Sequence, residues 1–131
     1  MLNRRLVLGA LAGAAALSLG SVTFAMNGKA FDQKAFDAAQ NAGQPILIEV
    51  TAPWCPTCKA QAPILSRLSS ADKYKNIVRF NIDFDSQKDL LRKFKVTTQS
   101  TLIGFKGKQE VGRSTGDTNP ASIEALLAKA I

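Results

Sequence analysis

The segment that most restricts the fold covers residues 46–51, a β-rich apolar run that leads into a pair of cysteines and then into a helix-periodic stretch. The run is too apolar for a strand with one solvent-facing side, and it is typical of a central strand covered on both faces. Such a strand needs helices packed on both sides of its sheet. This segment therefore predicts an α/β sandwich.

The segments around this strand alternate between helix and strand patterns. Asp32 and Gly43 are the candidate N-cap and left-handed C-cap of a helix before it. Residues 56–70 form a helical pattern with Pro63 inside it, where a proline should kink the helix. A second apolar strand follows over residues 77–83. The order fits strands joined by helical crossovers.

The C-terminal part predicts a short helix, a hairpin and a closing helix. The short helix covers residues 86–94, with Ser86 as its cap. Residues 101–105 and 109–113 flank a turn that contains a glycine, which indicates an antiparallel pair. The closing helix begins with an asparagine cap and a proline at its first position. The predicted fold is a mixed sheet with helices on both faces.

Length and composition fit one domain. With 131 residues, 46% of them hydrophobic, the chain can build one continuous core, and it carries no low-complexity tract or repeat. Its formal net charge is +7, but the basic residues are dispersed apart from Arg92, Lys93 and Lys95, a cluster that fits a solvated helix end. We therefore expect no nucleic-acid partner.

Residues 1–25 have the organisation of an export signal. Two arginines precede the apolar residues 6–20, and small residues stand before a cleavage point after Ala25. The alternative is a retained membrane anchor, because the apolar segment is about long enough to span a bilayer. We expect a mature domain over residues 26–131 in the periplasm of a bacterial cell envelope, anchored to the membrane if the signal is retained.

Cys55 and Cys58 are the only cysteines of the chain, and they stand at the junction between the central strand and the next helix. The free N–H groups and the dipole of a helix N-terminus favour negative charge, so a cysteine at the cap should have its thiol pKa lowered below about 8.5. Pro56 suits the first helical position. Since Cys58 lies one turn further on, we expect the two sulfurs to form and break a disulfide.

Two other interpretations of the cysteine pair compete with redox exchange. Zinc within one chain is disfavoured because the sequence has no histidine and no second cysteine pair. An inert structural disulfide suits an oxidising compartment, but structural bridges usually join distant segments instead of closing a small loop at a reactive position. Redox exchange without a cofactor or a bound metal is the favoured interpretation.

The run from Ile46 to Lys59, with Trp54 directly before the two cysteines, resembles the strand, the Trp-Cys-x-x-Cys-Lys motif and the helix start of the thioredoxin family. Pro63, the second strand, the hairpin and the final helix fit as well, so the resemblance covers residues 30–131. It implies a thioredoxin-like three-layer sandwich and a protein-disulfide oxidoreductase.

The resemblance also implies a role for each residue around the pair. Cys55 would be the exposed nucleophile that attacks a partner disulfide, and Cys58 the buried thiol that resolves the mixed disulfide. Trp54 would shield the sulfurs and line the partner groove together with Pro56 and Thr57. The alternative for Trp54 is ordinary core packing.

Glu49 occupies the place of the family's buried acid behind the second cysteine. A carboxyl group in an apolar strand has a raised pKa, which would let Glu49 exchange a proton with Cys58. The alternative is a strand-end carboxylate that reaches solvent and pairs with Arg79 on the neighbouring strand.

One position departs from the family pattern, since Ser100 stands where members carry a cis-proline that faces the active site. A non-proline cis bond costs about 2.5–4 kcal/mol, so we expect the Gln99–Ser100 bond to be trans. The resemblance implies that residues Gln99, Ser100 and Thr101 pair with a partner's extended backbone, and we expect the missing proline to change the local backbone there. A metal or cluster shared between two chains is a minor further hypothesis.

The direction of exchange is the least constrained prediction. Strong oxidants of the superfamily usually carry a histidine beside the second cysteine and a large helical insertion, so Thr57 and the compact chain favour a reductant. We expect a monomer that acts on protein dithiols and disulfides and draws electrons from a membrane protein. A disulfide-donating oxidase and a redox-sensing or binding module with little turnover are the alternatives.

Overall fold

The computed structural model describes residues 27–131 together with Gly13. This part of the chain forms five strands and four helices, in the order β1 (Lys29–Ala30), α1 (Gln33–Asn41), β2 (Pro45–Thr51), α2 (Pro56–Ser70), β3 (Val78–Asp83), α3 (Lys88–Phe94), β4 (Thr101–Lys106), β5 (Gln109–Thr115) and α4 (Pro120–Ala130). The predicted signal peptide over residues 1–25 lies outside the described residues, apart from Gly13. None of the described helices has the length and apolar character needed to cross a bilayer.

The strands form one mixed sheet in the order β1-β3-β2-β4-β5. β1 and β2 run parallel to β3, whereas β4 is antiparallel to both of its neighbours. β2 therefore lies at the centre of the sheet, and its residues from Ile46 to Val50 are all buried. The carboxyl ends of β2 and β3 meet at one edge, where α/β sheets commonly place their functional groups.

Two apolar cores lie on opposite faces of the sheet. One contains Ile46, Ile48 and Val50 of β2 with buried side chains of α1 and α3. The other contains Leu47 of β2 with buried side chains of α2 and α4. Because side chains alternate along a strand, Glu49 lies on the same face as Leu47, under α2. The predicted three-layer α/β sandwich is confirmed.

Several local predictions are confirmed by backbone geometry. The Asp32 side chain accepts the Ala35 N–H at 3.1 Å and so caps α1. Gly43 after this helix and Gly107 in the hairpin turn both have a left-handed backbone, with φ values of 68° and 58°. The closing helix begins at Pro120 with Asn119 as its N-cap.

Two local features differ from the sequence-based expectation. The predicted cap at Ser86 is wrong, because α3 begins at Lys88 and the Ser86 hydroxyl donates to Asp83 Oδ2 at 2.7 Å instead. The carboxylate at the end of β3 thus outcompetes the helix terminus for this hydroxyl. Strand β1 was not predicted, since two residues are too few to carry a periodic pattern.

The turn at residues 98–100, the Ser100 turn, leads into β4 and holds a serine in an unusual backbone conformation. The Gln99–Ser100 bond is trans as predicted, and Ser100 has a left-handed φ of 57°. Its N–H donates to Val50 O at 2.7 Å, and its carbonyl accepts the Gly116 N–H at 3.0 Å. A proline has no N–H and a fixed negative φ, so it could adopt neither feature. Ser100 therefore attaches this turn to β2 in a way that a proline cannot.

Ser100→Pro should lower the free energy of unfolding by about 3 kcal/mol or more, because proline cannot adopt the positive φ and leaves the buried Val50 carbonyl without its donor. Ser100→Gly is the matched control, since it keeps the N–H and accepts the same φ, and we expect its stability within about 1 kcal/mol of the wild type. Chemical denaturation measures both values. A proline variant as stable as the wild type would contradict the described turn.

Candidate active site

The cysteine pair lies at the N-terminus of α2, where the sequence predicted it. Cys55 is the N-cap with an extended backbone, and Pro56 is the first helical residue. The Cys58 N–H donates to Cys55 Sγ at 3.1 Å. A sulfur atom thus takes the capping position that an oxygen usually fills, at the positive end of the helix dipole.

The two sulfurs are joined in a disulfide, with their Cα atoms 5.3 Å apart. The prediction that Cys55 is exposed is wrong for this state, because Cys55 is 0% exposed and Cys58 is 5% exposed. The pair packs with Ala52 and against Phe84, which keep the Cys55 sulfur away from solvent. A partner therefore has to reach this sulfur past the residues that surround it.

Trp54 is the most exposed large apolar side chain beside the pair. It is 54% exposed, so the core-packing alternative is wrong. Its Nε1 donates to Asp85 Oδ2 at 2.9 Å, and its ring lies edge-on to Phe84 with the centroids 6.4 Å apart. These contacts fix the indole on the outside of the site, next to the exposed Pro56 and the half-buried Thr57. Partner binding and shielding of the sulfurs by these residues stay predictions.

Glu49 is buried on the α2 face of β2, with 1% of its surface exposed. Arg79 donates from Nε to Oε2 and from Nη2 to Oε1, each at 2.8 Å. Desolvation by burial raises the pKa of Glu49, and this effect outweighs the opposing effects of Arg79 and the Gly28 N–H. The predicted pairing with Arg79 is confirmed, whereas the alternative that the carboxylate reaches solvent is wrong.

The proton path from Cys58 to Glu49 stays a prediction. The hydrogen bonds of Glu49 go to Arg79 and Gly28 and not to Cys58. A cleft of about 610 Å³ opens beside Cys58, and polar side chains of β2, β3 and α2 line it. Glu49 does not line this cleft. Because no hydrogen bond joins Glu49 to Cys58, a proton moving between the two groups needs an intermediate carrier.

The Ser100 turn and Cys58 meet at one carbonyl group. Val50 O accepts the Ser100 N–H and lies 3.9 Å from Cys58 Sγ. Of the three residues predicted to pair with a partner, Ser100 and Thr101 are buried and Gln99 is partly exposed. Within the described part of the chain the Gln99 N–H has no hydrogen-bond acceptor. Pairing of this N–H with a partner's backbone stays a prediction.

Two residues near the site were not singled out from the sequence. Asp85 holds the Trp54 indole, and no sequence pattern marked it. Gln61 is 2% exposed, and its Nε2 donates to the carbonyls of Ser100 and Asp117. A signal for Gln61 did exist, because a glutamine interrupts the otherwise apolar buried face of α2.

Comparisons with known proteins agree with this geometry. The family model described as Thioredoxin matches residues 23–129, which include both cysteines. Thioredoxin Asp f 29 of Aspergillus fumigatus is 32% identical over 100 residues, which are 76% of this chain and 90% of that protein. Thioredoxin-2 of Saccharomyces cerevisiae is 33% identical over 94 residues, covering 71% of this chain and 88% of that protein.

A solved structure extends the similarity to three dimensions. The crystal structure of Trxlp from Edwardsiella tarda EIB202 matches with a TM-score of 0.73 and 39% sequence identity. The match covers 76% of this chain and 96% of that chain. The similarity in fold therefore extends over nearly the whole of that structure.

The raised pKa of Glu49 should make stability depend on pH. The unfolded carboxyl titrates near 4.5 and the folded one at a higher pH, so the folded state binds this proton more tightly. The contribution of Glu49 to the free energy of unfolding should therefore fall as the pH rises from 4.5 to the folded pKa, and stay constant above it.

Denaturation of the wild type and of Glu49→Gln across this pH range measures the effect, because the variant should lack that decline. Asp72→Asn, which removes a fully exposed carboxylate, is the control for a change of surface charge. An NMR titration that gives Glu49 a pKa of 4.5 or lower would contradict the prediction.

Proposed function

Since the chain belongs to the thioredoxin family and is a protein-disulfide oxidoreductase with the pair Cys55–Cys58, we propose that it reduces disulfides of partner proteins in the cell envelope. The observation that carries the chemistry is the hydrogen bond from the Cys58 N–H to Cys55 Sγ at the start of α2. When the disulfide is reduced, this N–H and the helix dipole stabilise a thiolate on Cys55. A thiolate is the form of cysteine that attacks disulfides.

The reaction proceeds in two exchange steps. Cys55 thiolate attacks one sulfur of the partner disulfide, a mixed disulfide forms, and the other partner sulfur leaves as a thiolate. Cys58 then loses its proton and attacks Cys55 Sγ, which restores the internal disulfide and releases the second partner thiolate. The partner gains two electrons and the cysteine pair loses two. Glu49, through an intermediate carrier, is the proposed acceptor of the Cys58 proton.

The proposed direction follows from how far the Cys55 thiolate is stabilised. The more strongly the reduced form is stabilised, the more oxidising the pair becomes. Here one backbone N–H, that of Cys58, donates to Cys55 Sγ. Thr57 stands where a histidine would add positive charge. This moderate stabilisation supports a reductant over a disulfide donor.

Partner proteins are proposed to bind across the surface formed by Trp54, Pro56, Thr57 and Gln99. The exposed indole offers an apolar contact, and the Gln99 N–H offers a backbone donor to an extended partner segment. The buried Ser100 and Thr101 support this surface from below. A partner segment on this surface would lie over Cys55.

The proposed location rests on the sequence of residues 1–25. An export signal would carry the domain to the periplasm, where the disulfides of secreted proteins form. A reductant working there needs a source of electrons, and a membrane protein that passes electrons from the cytoplasm to Cys55 and Cys58 is the proposed donor. We propose that the domain works as a monomer.

Reduction of insulin by dithiothreitol should be accelerated by the wild type and not by Cys55→Ser, because the variant lacks the attacking thiolate. Cys58→Ser is the matched variant. Reduced beforehand and mixed with insulin in the absence of dithiothreitol, it should accumulate a mixed disulfide between Cys55 and the substrate, which non-reducing electrophoresis and mass spectrometry detect. Acceleration by Cys55→Ser would contradict the proposed mechanism. If neither the wild type nor Cys55→Ser accelerates the reduction and both bind the partner with equal affinity, a binding module is favoured instead.

Equilibration of the wild type with glutathione measures the reduction potential of the cysteine pair, and with it the direction of exchange. A reduction potential of about −270 mV is expected for a reductant, whereas a value of about −120 mV would favour the disulfide-donating alternative.

A further inference from the structure

We propose that Gln61 is a positioning residue that holds the Ser100 turn in its left-handed conformation and joins it to the helix that carries the cysteines. The inference rests on the proposed function, because its effect is measured on the binding of a partner protein. Gln61 itself is buried and touches neither a substrate nor the sulfurs in the described contacts. It acts through the backbone of the turn.

The side-chain amide of Gln61 is fully used as a donor. It lies on α2 three residues after Cys58, and it is 2% exposed. Its Nε2 donates to Ser100 O at 3.2 Å and to Asp117 O at 2.8 Å. A glutamine amide carries two N–H donors, so both are satisfied. A buried amide without partners would cost about 1–3 kcal/mol, and these two bonds offset that cost.

The Ser100 turn needs such support because its backbone is strained. A left-handed conformation costs a non-glycine residue about 1–2 kcal/mol, and it persists only where neighbouring groups impose it. Ser100 is held by its N–H bond to Val50, and its carbonyl receives both the Gly116 N–H and the Gln61 amide. Of these three bonds, only the one from Gln61 is made by a side chain, so a substitution at residue 61 can remove it and leave the two backbone bonds of Ser100 in place.

The second acceptor of Gln61 belongs to a segment that is hydrogen-bonded to the start of α4. Asp117 Oδ1 accepts the Asn119 N–H at 2.8 Å, and Asp117 Oδ2 accepts the Ser122 hydroxyl at 2.5 Å. These bonds attach residue 117 to the first turn of α4. Gln61 therefore ties the Ser100 turn to two helices at once, α2 through its own backbone and α4 through Asp117.

The bonds of Gln61 affect the position of Gln99, the neighbour of Ser100. Its N–H is the donor proposed for a partner's backbone, and its position depends on the backbone of the turn. A preorganised turn binds with a smaller loss of conformational entropy than a mobile one. Removing the Gln61 amide should therefore weaken partner binding without changing the chemistry of the two sulfurs.

Gln61→Met tests this role, because it removes the amide and keeps an unbranched side chain of similar size. The KM for insulin should rise about fivefold or more, while kcat stays within about twofold of the wild type. The rate with a small aromatic disulfide, which has no backbone to pair with Gln99, should not change. Leu65→Met is the matched control, since it alters packing at another buried position of α2. It should leave the KM for insulin and the rate with the aromatic disulfide at the wild-type level.

The possible results separate this inference from the proposed function. If the wild type does not accelerate insulin reduction, the proposed function fails. If the wild type is active and Gln61→Met has an unchanged KM, the positioning role alone is wrong. An equal rise in KM for Leu65→Met would also overturn it, because the effect would then come from general packing.

A second measurement uses the wild type and holds even if Gln61→Met does not fold. The side-chain amide protons of Gln61 should exchange with solvent slowly in NMR experiments, as should the Gly116 N–H that shares the Ser100 carbonyl. Exchange of the Gln61 amide as fast as that of the exposed Gln109 would overturn the proposal.

Discussion

The chemistry of the cysteine pair depends on one interaction, the hydrogen bond from the Cys58 N–H to Cys55 Sγ at the beginning of α2. It requires a cysteine at the N-cap, a second cysteine one turn later, and a helix that starts where the central strand ends. Pro56 begins the helix at the right residue because its φ is already helical and its missing N–H is not needed there. The reactivity of the pair therefore follows from where a helix begins.

The groups around the pair fix the same small region from several directions. Val50 O lies next to Cys58 Sγ and also holds the Ser100 N–H, so the end of β2 supports both the disulfide and the turn. Gln61 holds that turn from the helix side. Glu49 is bound by Arg79 beneath the same helix, where its burial costs desolvation energy that the ion pair only partly offsets. Buried polar groups here have specific partners, which gives the site a defined geometry.

Much of this arrangement could be predicted from the sequence because it depends on local patterns. The apolar run of β2, the cap at Asp32 and the glycine turn of the hairpin each follow from the chemistry of a few neighbouring residues. The Ser86 cap was wrong because Asp83 competes for the same hydroxyl. The partners of Gln61 lie 39 and 56 residues away along the chain, so only the folded structure could identify them. The burial of Cys55 likewise depends on tertiary contacts.

The most direct test of the account is a titration of the Cys55 thiol in the reduced protein, followed by thiolate absorbance and by the rate of alkylation against pH. We expect the pKa of the Cys55 thiol to lie clearly below the free value of about 8.5, with Cys58 titrating at a higher pH. A Cys55 thiol that ionises at about 8.5 or above would show that the helix N-terminus does not activate it, and would contradict the central claim.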